Sequence, residues 1–580
     1  MRRKWNLSAV YCPAVMAAEL FFVYAWFLNL PGTESFFSVY CVYGVIGLCC
    51  ILDNYNRRTT VDSRAAWKIL GFSAAFSLSV ILGNYPLFEP FYALMSLFNM
   101  GLCFAGGCVI GSNVLLCAMH YFPLALSTRE RTRGKQLFWL TLAAVLVVDL
   151  VYLWFTNYPA VINYDTMSQL SQIMGQEVYS RWTPYWHTMT IRFFFNIGYG
   201  FTGDPNAALF VFELAQILFF GACFAYVLMT MYDLGIPDLF LGIAFFLYVL
   251  YPYNIVFNVT ILKDVLFGGG LLLMLTALLR ILAGKGKPAS NYVVFALGSL
   301  GFSLWRTNGM YIYLVTALVV LPACKQRRKV LAGIMCSILA VSWFLNGPWL
   351  DSKQLEKSPF TETLAVPFQQ IGRVIVNERE ISPEDEAFLS EIFYLEEVKN
   401  CYRPESADPM KFEAYRYSSG DFLEENFGQF LKIWIRLGLR YPGDYLLAWI
   451  DETRGYWDGG YHMGVYDQGM PGNTLGMYNS GGDNVIARLF AAYFRYIEDP
   501  MILAPLKSIG FVVWVVLFSW WVNVLAGRKT WILSTPVLVL LVGLWLGTPV
   551  FAEFRYAYPV FLVSPLLLCS ALFDLTEKTA

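Results

Sequence analysis

Apolar runs long enough to cross a hydrocarbon layer of about 30 Å recur along most of this chain, and they restrict what it can fold into. A backbone exposed to lipid must satisfy its own N–H and C=O groups, so each run is expected as a helix. Composition agrees: 57% of the residues are hydrophobic and 14% charged, against roughly a quarter charged in a soluble domain. The reading is an all-α polytopic membrane protein with about fourteen transmembrane helices. The spans fall near 8–30, 36–52, 67–84, 91–118, 137–157, 207–231, 238–251, 261–282, 291–305, 309–323, 329–346, 502–526, 531–547 and 556–573. The first follows Arg2, Arg3 and Lys4, exceeds a signal-peptide core and lacks a small-residue cleavage site, so it is expected to be retained.

Basic residues set the expected orientation. Arg57, Arg58, Arg64 and Lys68, then Arg129, Arg131, Arg133 and Lys135, then Arg280, Lys285 and Lys287, then Lys325, Arg327, Arg328 and Lys329, and finally Arg528 and Lys529 flank alternate connections. The short connections between them hold only Arg306 and Arg555. By the positive-inside rule both termini are expected in the cytoplasm of a multi-pass cell-membrane protein. Two longer segments then fall outside. Residues 158–206 mix polar and aromatic side chains, with an amphipathic run at 187–199 suited to the interface. Residues 347–501, between the eleventh and twelfth spans, are expected as a mainly helical extracytoplasmic domain, with helices near 383–399 and 421–439 and a turn-rich loop at 459–483. The expected organisation is a four-span N-terminal addition at 1–136, a membrane core at 137–346, the external domain at 347–501 and a three-span segment at 502–580.

A formal net charge of -1 leaves no basic surface for nucleic acid. The 12 cysteines lie almost entirely in spans and read as small packing residues. Neither a disulfide framework nor a cysteine zinc site is expected.

The charged residues at span ends carry the chemistry. Asp165 and Gln169 occupy the loop after the fifth span, ahead of Arg181-Trp182-Thr183-Pro184-Tyr185-Trp186-His187. Lys263 and Asp264 open the eighth span, Arg306 and Asn308 occupy the turn after the ninth, and Glu553, Arg555 and Tyr556 open the last. All are expected on the outer face, and such ionisable groups are by default candidates for function. Taken singly, an Arg or Lys at a span end is as readily an interfacial anchor.

Sugar transfer from a lipid phosphate would use this set. Asp165 would take the proton of an acceptor hydroxyl as general base. Arg555, Arg306 and Lys263 would hold the donor phosphate, the guanidiniums in two-pronged fashion and the lysine as a point charge. Asp264, about 100° from Lys263 around a helix, would orient an arginine or a sugar hydroxyl. Trp182, Tyr185 and Trp186 suit stacking on a sugar ring or an interfacial belt. His187 suits a structural hydrogen bond or a direct substrate contact.

The strings Tyr164-Asp165-Thr166 with Gln169, Leu262-Lys263-Asp264, Arg306-Thr307-Asn308-Gly309, Pro367-Phe368-Gln369-Gln370-Ile371-Gly372-Arg373 and Glu553-Phe554-Arg555-Tyr556 occur in order over 137–573. This arrangement resembles the GT-C superfamily of membrane glycosyltransferases, in a poorly characterised bacterial branch. The resemblance implies a polyprenyl-phosphate-linked sugar as donor and an extracytoplasmic acceptor such as a cell-envelope polymer, glycolipid or protein. It implies Asp165 as the catalytic acidic residue and adds Gln370 and Arg373 to a substrate-binding group of Gln169, Trp182, His187, Asp264, Glu553 and Tyr556. The companion acidic residue usual beside the catalytic one is absent, since Tyr164 and Thr166 flank Asp165, and the chain has no Asp-any-Asp pair. No metal site and no cofactor are therefore expected. Two other functions fit the same features: a transporter or flippase of a lipid-linked glycan, for which Glu19, Asp149 and Glu213 would be the working acids, and a glycan polymerase or ligase.

Overall fold

The computed structural model describes residues 4–6, 13–27, 60–89, 93–128, 131–417, 420–461, 469–498, 505–548 and 550–575. Within them the chain is overwhelmingly helical, with two two-stranded pairings: β1 (Lys4–Asn6) with β2 (Thr60–Asp62), antiparallel, and β3 (Val161–Ile162) with β4 (Thr260–Ile261), parallel. Among the described residues eight helices are long and apolar enough to cross a membrane, or nine if one bent pair is a single span. The expected span at 36–52 lies outside the described residues, as do parts of those at 8–30 and 502–526.

The membrane helices follow the apolar runs. α1 (Pro13–Phe27), α2 (Ser63–Gly83) and α3 (Leu94–Tyr121) pack together, and α4 (Gly134–Thr156) follows. The amphipathic run after it forms a separate helix. Between β3 and the next long helix lie α5 (Tyr164–Ile173) and α6 (Tyr185–Thr202). α7 (Pro205–Asp233) packs along α4 and α6. α8 (Asp238–Leu250) ends in a π-turn and bends by 43° into α9 (Pro252–Asn258), where Pro252 interrupts the ladder. α10 (Lys263–Leu282), α11 (Pro288–Leu304), α12 (Gly309–Ala323) and α13 (Arg328–Trp349) complete this half.

α10 is the central element, buried along nearly its whole length. Small residues let α11 lie directly against it. A Cβ on Gly298 would come within 2.6 Å of the Met274 nitrogen, and one on Gly270 within 2.8 Å of the Phe302 nitrogen. Close backbone approach of this kind is how helices associate where apolar burial gives no preference for protein over lipid. On α3 and α4, by contrast, Leu94, Met95, Phe98, Trp139, Val147 and Trp154 are exposed, as expected of a surface covered by lipid tails.

Beyond α13 come α14 (Ala365–Val376), α15 (Pro383–Ser390), α16 (Leu395–Cys401), α17 (Asp408–Tyr417), α18 (Gly420–Glu425), α19 (Phe427–Arg440) and α20 (Pro442–Thr453). Their apolar faces bury Leu364, Phe368, Ile371, Phe393, Phe430 and Ile433 in one core. The stretch at 383–399 is thus two helices, broken at residues 391–394. Residues 469–484 then run without helix to the amphipathic α21 (Val485–Glu498). α22 (Ile509–Leu525), α23 (Lys529–Gly547) and α24 (Phe554–Leu572) close the chain, with α24 against α10 and α22.

The helical region is tied to the N-terminal helices as well as to the C-terminal ones. Tyr85, just past α2, donates to Asp451 at 3.0 Å, and Asp451 also pairs with Arg373 at 2.6 Å. Asp458 is buried against Gly83 and Gly510, with Asn84 at 3.4 Å.

Candidate active site

β3 and β4 bring the site together. Their register pairs Val161 with Thr260 and Ile162 with Ile261, so residues 163–165 and 262–264 leave the pair side by side. The Val161 N–H donates to Val259 O at 3.0 Å and the Ile162 N–H to Gly469 O at 2.9 Å. Each strand runs directly into a helix, α5 and α10. The Asn163 side chain caps α5 by accepting the Thr166 N–H at 3.0 Å, and the Thr166 hydroxyl donates to Ile261 O across the pair. Asp165 therefore lies in the first turn of a helix, not in the loop expected for it, because a local cap is available. A carboxylate is favoured there by the helix dipole.

Two cations meet one oxygen of Asp165. Lys263 Nζ lies 2.9 Å and Arg555 Nη1 3.1 Å from Oδ2. Burial alone would push the Asp165 carboxyl up, but Lys263 and Arg555 outweigh it and hold the group below the ordinary carboxylate range. Next to this triad, Arg306 pairs with the fully buried Asp264 at 2.8 Å. Glu553 lies 3.7 Å from Arg555 Nε, and its carboxyl is pushed up by burial against the pull of Arg555. Both guanidiniums approach the Tyr556 ring, Arg306 at 5.2 Å and Arg555 at 5.0 Å from its centroid. Lys263, Arg306 and Arg555 thus face Asp165, Asp264 and Glu553. The Asp165 side chain remains 36% exposed, so the cluster has an open side.

Gln169 and His187 lie next to this cluster but are buried and engaged with each other. His187 Nδ1 is 3.1 Å from Gln169 Oε1, and Gln169 Nε2 donates to Thr188 at 2.8 Å. Burial, with Lys263 nearby, lowers the His187 pKa to about 3, so the ring is neutral. Trp182 is 44% exposed and meets Tyr415 of the helical region edge-on at 5.9 Å. Tyr185 and Trp186 pack instead on Trp349, at 5.6 and 5.0 Å.

Gln370 and Arg373 take other partners. Gln370 accepts from Trp434 at 2.8 Å and donates to Tyr445 O at 3.3 Å, while Arg373 pairs with Asp451. Their helix, α14, is buried among α16, α17, α19 and α20, and its polar side chains satisfy those neighbours. Gln370 and Arg373 thus bond within the helical region, whereas Lys263 and Arg555 bond Asp165. Among the described residues no cluster of three or more His, Cys, Asp or Glu side chains forms a metal site.

Sequence reasoning missed two features here. One is the segment 469–484, which covers β3: Ser480 pairs with Tyr158, and Asn479 donates to Asn157 O and Ala160 O at 2.9 Å each. The run of Gly, Asn and Asp marked it as a turn-rich loop but gave no sign of its partner. The other is Tyr456, which contacts the loop ahead of Arg555 and carries no sequence signal.

Fold and site together define an all-helical membrane protein with a cluster of paired charges at the N-terminal ends of α5, α10 and α24. The chain belongs to a family of unknown function, DUF6020, whose profile matches residues 183–579. That match includes Lys263, Asp264, Arg306, Glu553 and Arg555 and begins after Asp165, Gln169 and Trp182. No curated protein and no solved structure matches the chain.

Proposed function

We propose that the chain is a membrane glycosyltransferase that moves a sugar from a polyprenyl-phosphate donor to an extracytoplasmic acceptor. The observation that carries this reading is the sharing of Asp165 Oδ2 between Lys263 and Arg555. In the resting protein the carboxylate keeps the two cations together. A lipid phosphate arriving at the open side competes for them with charge-assisted bonds of its own. As Lys263 and Arg555 turn to the phosphate, Asp165 loses the partners that depress its basicity and becomes a better proton acceptor. The acceptor oxygen then bonds to the anomeric carbon while the carbon–oxygen bond to phosphate breaks. The bonding pair stays on the phosphate, and the hydroxyl proton passes to Asp165. Asp264 holds Arg306 beside this centre.

The test is binding of undecaprenyl phosphate to the purified chain and its Arg555 variants. Arg555→Lys keeps the charge but loses the fork, and is expected to weaken binding about tenfold; Arg555→Ala loses both, for about a hundredfold. If Lys binds as well as Arg and Ala leaves affinity unchanged, Arg555 is an interfacial anchor and the reading fails.

One observation favours transport of a lipid-linked glycan as a second reading. Asp149 of α4 and Glu213 of α7 are both buried inside membrane helices, and neither meets a Lys or Arg in any ion pair among the described residues. Asn258 donates to Asp149 at 2.9 Å, and Gln216 bridges Asn258 O and Thr260 O at 3.0 Å, next to Glu213. Acids placed this way recur in proton relays.

A further inference from the structure

The segment 550–553 leads into α24 and delivers Glu553 and Arg555 to the cluster. It is built against the helical region. The Phe551 N–H donates to Glu405 O at 2.9 Å, and Ser406 forms a bridge with Val550. Ala552 has φ +50, a left-handed conformation that a residue with a Cβ adopts only when its surroundings impose it. Gly455 supplies that surface: a Cβ there would come within 2.4 Å of Ala552 Cβ.

One hydroxyl makes two of these ties at once. Tyr456 is fully buried, and its OH donates to Val550 O at 2.9 Å while accepting the Glu553 N–H at 3.0 Å. The Thr548 hydroxyl is 3.2 Å from the same oxygen. Glu553 is the N-cap of α24, so its N–H precedes the helix and has no partner inside it. The Tyr456 OH supplies that partner and at the same time fixes the carbonyl three residues earlier. Both ends of the turn are therefore held from one atom, two residues ahead of the Arg555 guanidinium.

We infer that Tyr456 is a positioning residue for Arg555, and that the helical region at 365–456 thereby forms part of the anion site rather than a detached cap. This inference rests on the proposed phosphate-binding role of Arg555 for its consequence, but its geometric content stands separately. Tyr456→Phe keeps the ring and removes the hydroxyl, leaving the Glu553 N–H and the turn free to shift together.

A double-mutant cycle reads this directly, with undecaprenyl phosphate as the probe and the full chain in detergent. Tyr456→Phe is expected to weaken binding about tenfold when Arg555 is present and to cost nothing further in Arg555→Ala. A merely structural tyrosine would give the same loss in both backgrounds, and that result overturns the inference. A second measurement does not depend on phosphate. Cysteines placed at 165 and 555 are bridged by a short bifunctional thiol-reactive reagent, a bis-methanethiosulfonate that releases a sulfinate at each end, and the 165–555 product is quantified by mass spectrometry. Tyr456→Phe is expected to cut the yield several-fold, as is Gly455→Ala, whose added methyl would collide with Ala552 of the same loop. If the wild-type chain binds no undecaprenyl phosphate yet the yield falls in both variants, the proposed function fails and the positioning role stands. An unchanged yield refutes the positioning role whatever the phosphate result.

Discussion

Asp165 and His187 respond to acid in different windows, and the difference follows from what surrounds each. A neutral imidazole buried at about pKa 3 binds no proton in the folded chain over a range where the unfolded chain, titrating near about 6.5, does. Stability therefore falls as pH drops below about 6.5 and stops falling on this account near pH 3. Asp165 has a depressed folded pKa, so its contribution is present above about pH 4 and is lost only below that. Melting temperature measured from pH 7 to 4.5 should thus decline in the wild type with a slope that His187→Gln reduces. A variant slope equal to wild type would show that His187 titrates normally and is not sealed from water. Of these residues, sequence alone made Asp165, Lys263, Arg306 and Arg555 legible as a set, since charge at a span end is costly wherever it occurs. It could not show that Asp165 is ion-paired by Lys263, 98 residues away, because that contact depends on the β3–β4 register.

At the level of elements, most helices were readable because apolar length is a direct physical requirement of the bilayer. α2, α4, α7, α10 and α24 begin and end within a few residues of the expected runs. What escaped were features set by neighbours: the bend at Tyr251 and Pro252, the two-residue strands, and the capped helix that holds Asp165. The strand pair and the capped helix set Asp165 beside Lys263. α4 and α7 also bear on the second reading. If Asp149 and Glu213 relay protons for transport, Asp149→Asn with Glu213→Gln should abolish glycan export in vesicles by about a hundredfold while leaving undecaprenyl phosphate affinity unchanged. If the chain is a transferase, the double variant should retain turnover within a fewfold of wild type.

The whole molecule places a cluster of balanced charges between membrane helices on one side and the helical region on the other. Tyr85, Asp451 and Arg373 join that region to α2, and Tyr456 joins it to α24. The N-terminal helices, expected as an addition, thus share contacts with the part of the chain that shapes the site. On the proposed reading Asp165 has opposing duties: it holds Lys263 and Arg555 when no substrate is present, and gives them up when phosphate arrives. Asp165→Asn removes the competitor for both cations and the proton acceptor together. The most direct measurement is undecaprenyl phosphate affinity and sugar transfer for this single variant, with melting temperature confirming that it is folded. Affinity is expected to rise about fivefold while transfer falls on the order of 10²-fold or more. Near-normal transfer, or a loss of affinity in the folded variant, would contradict the account.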